Sequence, residues 1–166
     1  MRGGVAILGL LAALAMGQVS AQDATAPALG GSAAAFEALL GGANDASVGA
    51  QLHFVRCAGT DIDQYVLLAP NNQVWTIQRE ACALATPASQ ERFAEAMQFL
   101  PPDAVAGEPF TTERGESAMT YLSPSLASVL PAGLFHDCTG NAVPLGTLFV
   151  VADSYGGWFM APGTCA

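Results

Sequence analysis

The order of apolar and polar residues divides the chain into short strands separated by turns. Apolar or alternating runs predict strands at 52–57, 64–68, 73–78 and 147–152, with a further strand beginning at Trp158. Residues that favour turns separate them at 70–72 and 153–157. Polar and apolar residues alternate over 73–78, as in a half-buried strand, whereas 147–152 lacks alternation. We therefore expect 147–152 to be buried on both faces of its sheet.

Helical periodicity appears between and before these strands. Ser32 can cap a helix that runs to about Leu40, where two glycines follow. Thr86-Pro87 has the form of a second helix start, and three apolar residues spaced along one face follow it: Phe93, Met97 and Leu100. The segment 101–116 has no clear period and is interpreted as a polar connector. Short helical turns are predicted at 116–122 and 125–130.

One short pattern occurs twice in the chain. Phe-Val-Arg-Cys-Ala-Gly at 54–59 returns 81 residues later as Phe-His-Asp-Cys-Thr-Gly at 135–140. After a shift of two positions, four residues of the first copy recur 83 residues later, namely Ala69, Trp75, Cys82 and Ala83. All four cysteines and both tryptophans fall into this register. Because these residues are rare, we interpret the chain as an internal duplication.

The duplication and the predicted elements together define an expected architecture. We expect an α+β domain over 32–166, in which two β-hairpin units, each tied by a disulfide, pack with two or three short helices. The two repeats would cover 46–83 and 127–166, and a helical linker over 84–126 would join them. The sequence leaves open whether the two repeats form one sheet or two.

The first residues predict export from the cell. A single positive charge at Arg2 precedes the apolar run 5–16, and small residues at 19 and 21 fit a signal peptidase site. We therefore expect a signal peptide over 1–21 and a flexible leader over 22–31. The apolar run is too short to span a bilayer, so no membrane span is expected in the mature chain. The predicted location is the periplasm or the extracellular space.

Export is consistent with the use of cysteine. In an oxidising compartment four cysteines favour two disulfides, and four cysteines allow three pairings. The duplication favours Cys57–Cys82 and Cys138–Cys165, because each copy then closes on itself. Zinc bound by two cysteines with His53 and His136 is a weaker alternative, since the His–Cys spacing differs between the copies. No metal or other cofactor is predicted.

Charge is sparse and mostly negative. Charged residues make up 11% of the chain, which contains no lysine and has a formal net charge of −9. This balance argues against nucleic acid and anionic membrane surfaces as partners, because both attract a positive face. It fits the solubility of an exported protein, or a cationic partner.

The chemistry-bearing residues do not follow the repeat. The copies share cysteine, glycine, phenylalanine and tryptophan, whereas their histidines and acids differ. No catalytic motif was found, so an enzyme is the less favoured interpretation. We expect a binding or structural role towards a protein partner, through the uncharged stretch 117–135 or through turn residues. The candidate binding residues in or beside the loops are Tyr65, Asn71, Asn72, Asp153, Ser154 and Tyr155.

Two other functions remain open from the sequence. The first is a secreted hydrolase that uses His53 or His136, for example with Asp137 and with Ser128 or Ser154 in a triad-like arrangement. The second is a protease inhibitor that presents the turn at 153–157, braced by a disulfide.

Overall fold

A single antiparallel sheet forms the centre of the structure, a computed structural model that describes residues 26–43, 49–55, 64–80, 89–153 and 156–164. Seven described strands lie in the order β1-β2-β3-β7-β6-β5-β4. Their bounds are Gln51–Val55, Gln64–Leu68, Thr76–Glu80, Val105–Thr111, Ser117–Leu122, Thr147–Ala152 and Trp158–Pro162, numbered β1 to β7 along the chain. The α+β prediction is confirmed, and both predicted hairpins belong to one sheet.

Three short α-helices pack on one face of this sheet. They are α1 (Ala33–Leu40), α2 (Ser89–Ala96) and α3 (Pro124–Val129). The Ser32 hydroxyl caps α1 by accepting a hydrogen bond from the Ala34 amide at 3.2 Å. Gly41 ends α1 with a φ of 88°, a conformation that favours glycine. The predicted first helix is therefore confirmed at both ends.

The core lies between the helices and the sheet. Phe36 from α1 stacks on Phe99, with 5.5 Å between ring centroids, and Phe99 lies 5.5 Å from Trp158 of β7. Leu67, Ile77 and Met160 are fully buried around these rings and come from three neighbouring strands. Burial of large aromatic side chains is the main stabilising term in a core of this kind.

The two hairpins have the same register. Val66 lies opposite Gln78 in the hairpin β2–β3, and the residues 83 positions later, Phe149 and Ala161, lie opposite each other in β6–β7. The hairpins meet where β3 pairs with β7, and there Ile77 lies opposite Met160, again 83 positions later. A two-fold axis between Ile77 and Met160 would produce this register.

The symmetry does not extend to the next strand. β1 pairs with β2, but its counterpart by sequence, 132–136, forms a 3₁₀ turn at Ala132–Leu134 and one bridge from His136 to Ala142. The place beside β6 is taken by β5 instead. The predicted helical turn at 116–122 is therefore wrong, because its residues pair with strands on both sides.

The interior of the predicted linker also differs from expectation. The helical linker over 84–126 contains α2, but the polar connector within it includes β4, which pairs with β5. The strand predicted at 73–78 begins three residues later, at Thr76, because the turn at Pro70–Asn72 extends to Trp75, whose amide bonds to Leu68 O at 2.7 Å.

The predicted apolar face of the second helix is only partly correct. Met97 is 54% exposed, whereas Phe99 is 3% exposed and enters the core. The chain tightens into a 3₁₀ turn over Met97–Phe99, which rotates each residue further around the axis than an α-helix does. The predicted start at Thr86-Pro87 lies outside the described residues.

Candidate functional site

The sheet has a second apolar region on the face opposite the helices, called here the outer face. Four buried residues there form a cluster separate from the main core, with Phe110 and Phe159 packed at its sides. We call these six residues the outer patch; its buried members are Ala118, Phe149, Val151 and Ala161. No helical residue of the described chain belongs to this cluster.

The outer patch is built by register across four strands. Phe159 of β7 lies opposite Val151 of β6, Val151 lies opposite Ala118 of β5, and Ala118 lies opposite Phe110 of β4. Side chains at directly opposite positions share a face, so these four form one row across the sheet. The Phe149 ring lies 5.7 Å from that of Phe159. Small residues at the centre of the row therefore lie between two phenylalanines.

The outer patch extends towards solvent at one end. Leu122 of β5 lies opposite Val105 of β4, on the same face as Ala118, and these side chains are 46% and 67% exposed. Towards the first hairpin the row changes character, since Phe159 lies opposite Gln78 of β3. The patch thus ends at the junction between the hairpins.

Burial of β6 follows the sequence prediction. All six residues of Thr147–Ala152 are buried, as expected of a strand without alternation. In β3 the side chains on the outer face are the polar Thr76, Gln78 and Glu80. The outer face is therefore polar on β3 and apolar on β6.

Tyr65, a predicted binding residue, lies on the helix side of the sheet. Its hydroxyl donates to Glu95 Oε1 of α2 at 2.7 Å, and Arg79 Nε lies 3.3 Å from the same oxygen. Arg79 also donates to the carbonyl of Gly156, in the β6–β7 turn. These contacts connect α2 to the hairpin β2–β3 and to the β6–β7 turn, so Tyr65 has a structural role.

The other predicted turn residues lie at both ends of the hairpins. Asn71 and Asn72 have positive φ values of 53° and 65°, and Asn72 Nδ2 donates to Ser32 Oγ at 3.1 Å. Asp153 closes the β6–β7 turn by accepting from the Gly157 amide at 2.8 Å. Ser154 and Tyr155 lie outside the described residues. Tyr65, Asp153 and Gly157 lie at one end of the sheet, and Asn71 and Asn72 lie at the other.

One cysteine can be placed. Cys138 is disulfide-bonded, and Cys57, Cys82 and Cys165 lie outside the described residues. Both predicted pairings therefore stay predictions. In the described ranges, no three histidine, cysteine or acidic side chains come together as a metal site requires.

The histidines lie in different parts of the fold. His53 is in the edge strand β1, and His136 is exposed, with Nδ1 at 3.0 Å from the backbone oxygen of Asp137. The Asp137 carboxylate accepts hydrogen bonds from Asn141 and Thr139, which lower its pKa. Ser128 donates to Ser125 O at 2.7 Å. Within the part of the chain that the structure describes, these contacts do not form the arrangement that the hydrolase hypothesis needs.

The sequence did not suggest a carboxylate at the start of α3. Asp103 Oδ1 accepts from Ser123 Oγ at 2.6 Å and Ser125 Oγ at 2.7 Å. Burial raises the pKa of Asp103, but the hydrogen bonds from Ser123 and Ser125 outweigh it and leave the pKa below its usual range. The residues Ser123-Pro124-Ser125 predict a helix start, but nothing in the local sequence indicates that Asp103, 20 residues before Ser123, would accept their hydrogen bonds.

Comparison with known proteins found no matching family model, no similar curated protein and no similar solved structure. Within the described part of the chain, no helix has both the length and the apolar character needed to cross a membrane.

Proposed function

We propose that this chain is a small exported protein, stabilised by disulfides, that binds a protein partner through the outer patch. The observation that carries the proposal is that Phe159 and Phe110, at the two ends of the apolar row, are partly exposed, although the four other residues of the outer patch are buried. Exposed apolar side chains that lie close together are typical of interaction sites, whereas single exposed apolar residues are common everywhere. Leu122 and Val105 continue the row into solvent.

We further propose that the scaffold arose by duplication of the hairpin unit. The identical register of the two hairpins, offset by 83 residues, supports this origin. The Thr164 amide donates to His136 O at 3.1 Å, so the residue before Cys165 in the sequence contacts a residue two positions before Cys138. This contact supports the Cys138–Cys165 pairing, and symmetry then favours Cys57–Cys82.

Mass spectrometry of the secreted protein, digested without reduction, tests this scaffold. We expect the two intra-repeat linkages and a mature chain that begins at Gln22. A swapped linkage would contradict closure of each repeat on itself. Retention of 1–21 on the exported protein would contradict the proposed signal peptide.

Site-specific photocrosslinking in the producing cells tests the binding surface. The photoreactive residue p-benzoylphenylalanine would replace Phe159 or Phe110 in turn, and Glu91, exposed on α2, would serve as the control position. The proposal expects one shared adduct from 159 and 110 that is absent from 91. Excess wild-type protein should compete for it, and a Phe159→Thr protein should not. Equal adducts at all three positions would contradict the proposal.

A further inference from the structure

Arg92 of α2 is a buried positive charge. Its side chain is only 8% exposed, and its Nε has no hydrogen-bond acceptor in the part of the chain that the structure describes. Arginine is rarely buried to this extent without an acceptor, because removing its charge from water is costly. Trp75 and Trp158 also bury an indole N–H that lacks an acceptor, but these groups are neutral and the cost is smaller. The burial of Arg92 therefore implies an acceptor that the described residues do not supply.

The acidic residues of α2 do not neutralise Arg92. Glu95, three positions later, lies 3.3 Å from Arg79 Nε and accepts a hydrogen bond from the Tyr65 hydroxyl. Glu91, the residue before Arg92, is exposed. The carboxylate of α2 that faces the sheet is thus already engaged by Arg79 and Tyr65, whereas Arg92 is buried without such a partner in the described ranges.

Arg92 lies at the end of α2 where anions bind most readily. α2 begins at Ser89 and has eight residues. The first amides of a helix have no acceptor within the helix and carry a partial positive charge. Ala96, one turn after Arg92, is fully buried, and α2 packs against β6 and β7. Because helical side chains tilt towards the N-terminus, the Arg92 side chain extends along the first turn on this inner face.

We propose that the start of α2 binds a small oxyanion, a phosphate or carboxylate group, through Arg92. The guanidinium and the helix amides are donors only, so the ligand must supply the acceptors. Phosphate and carboxylate each form paired hydrogen bonds with a guanidinium. The remaining 8% exposure of Arg92 leaves its side chain in contact with solvent. This site lies on the helix side of the sheet and goes beyond the proposed binding function of the outer patch.

The overall charge of the chain limits the size of the ligand. The formal net charge of −9 repels anions at long range. A nucleic acid or an anionic membrane would bring many negative charges near the whole surface, whereas a small ion meets mainly the local field of Arg92 and the start of α2. We therefore expect a ligand with one or two charges and an affinity that falls with salt.

Nuclear magnetic resonance of the arginine side chains tests the inference. Inorganic phosphate and, separately, acetate are titrated into the ¹⁵N-labelled mature chain with its disulfides intact, and chloride keeps the ionic strength constant. The Nε–H signal of Arg92 and the amide signals of 89–91 should shift and saturate, while the Nε–H signal of Arg114, exposed in the β4–β5 turn, stays unchanged. Saturation by one of the two ions alone identifies which group the site prefers. A drift of all signals without saturation, or no response to either ion, would overturn the proposal.

Matched variants give a second readout. Arg92→Gln and Arg114→Gln each remove one positive charge, one from the site and one from an exposed turn. The ion that saturates Arg92 should raise the Tm of the wild type and of Arg114→Gln, because a ligand that binds only the folded state stabilises it. It should not raise the Tm of Arg92→Gln. Equal stabilisation of all three proteins would reflect a general salt effect and overturn the proposal.

A conservative variant keeps the test decisive if Arg92→Gln does not fold. Arg92→Lys retains the charge but cannot form the paired hydrogen bonds of a guanidinium, so it should bind the ion about fivefold more weakly. The amide signals of 89–91 report this binding without the arginine signal. Unchanged affinity in Arg92→Lys would mean that the ion does not contact the guanidinium, which would contradict the site.

Discussion

The hairpins β2–β3 and β6–β7 share one register and differ in what covers them. Thr76 and Gln78 face outward from the first hairpin, and the residues 83 positions later are Phe159 and Ala161. The first hairpin therefore has an apolar inner face and a polar outer side on β3. The second is buried on both faces along β6. Two hairpins of the same register thus differ in their outer sides, which are polar on β3 and buried and mostly apolar on β6.

This difference separates residues that form the scaffold from residues that define the surface. The central inner positions are large and apolar in both hairpins, for example Leu67 with Val150 and Ile77 with Met160, all fully buried. On the outer face the difference lies in β3 and β7, where Thr76 and Gln78 correspond to Phe159 and Ala161. Packing against the helices constrains the inner core positions of both hairpins.

The largest expected contrast lies between the two tryptophans. Trp158 is fully buried, whereas its counterpart Trp75 is only partly buried at the edge of the core. Trp158→Ala should lower the free energy of unfolding by about 3–5 kcal/mol, and Trp75→Ala by about 1–2 kcal/mol. Urea denaturation followed by circular dichroism measures both. Equal losses would mean that the hairpins contribute equally to the core, against the burial described here.

A smaller contrast is expected on the outer face. Phe149 is 1% exposed in the outer patch, and its counterpart Val66 lies on the outer face of β2 at intermediate exposure. Phe149→Thr should cost about 2–4 kcal/mol and Val66→Thr less than about 1 kcal/mol, because much less apolar area leaves water at Val66. Thermal unfolding of both variants measures the difference. A mild effect at Phe149 would show that the outer patch adds little to stability and serves binding alone.

Sequence patterns predicted the hairpins well because their signals are local. Alternation, turn residues and a capping serine lie within a few positions of the element that they define, as at 64–68 and Ser32. β4 and β5 were missed for the opposite reason. Ser117–Leu122 becomes a strand because β6 and β4 pair with it from both sides, and that pairing depends on distant residues.

Only one feature of the sequence predicted any part of the candidate surface. Lack of alternation at 147–152 predicted burial on both faces, which is confirmed. The row that joins Phe159 to Phe110 depends on the order of four strands, which cannot be read from spacing along the chain. Tyr65 was predicted as a binding residue, and in the structure its hydroxyl instead donates to Glu95 on the helix side.

The third prediction concerns the carboxylate that ties the first hairpin to α2. Glu95→Gln removes the charge that Arg79 contacts, while an amide can still accept a hydrogen bond from Tyr65. We expect a loss of about 1–2 kcal/mol, below that of a fully buried pair because Glu95 is 27% exposed. A double-mutant cycle with Tyr65→Phe measures the coupling. Hydrogen exchange should increase in β2–β3 and stay unchanged in β6–β7; an equal increase would contradict a tie specific to the first hairpin.

The fourth prediction, with the smallest expected effect, concerns Asp103, which is linked through Ser123 to the residues just before β6. Ser123 donates its amide to Gly146 O at 2.9 Å just before β6, and its hydroxyl donates to Asp103. Because the folded-state pKa of Asp103 is lowered, its contribution is complete above the usual carboxyl range and is lost as pH falls through the lower folded-state pKa. Asp103→Asn should therefore cost about 1 kcal/mol at pH 7, and this cost should shrink as pH falls through the lowered folded-state pKa of Asp103. Urea titrations across this range measure the difference, with Glu113→Gln in the exposed β4–β5 turn as the matched control. If the stability lost in Asp103→Asn does not change with pH, packing at the start of α3, and not the charge on Asp103, stabilises this segment.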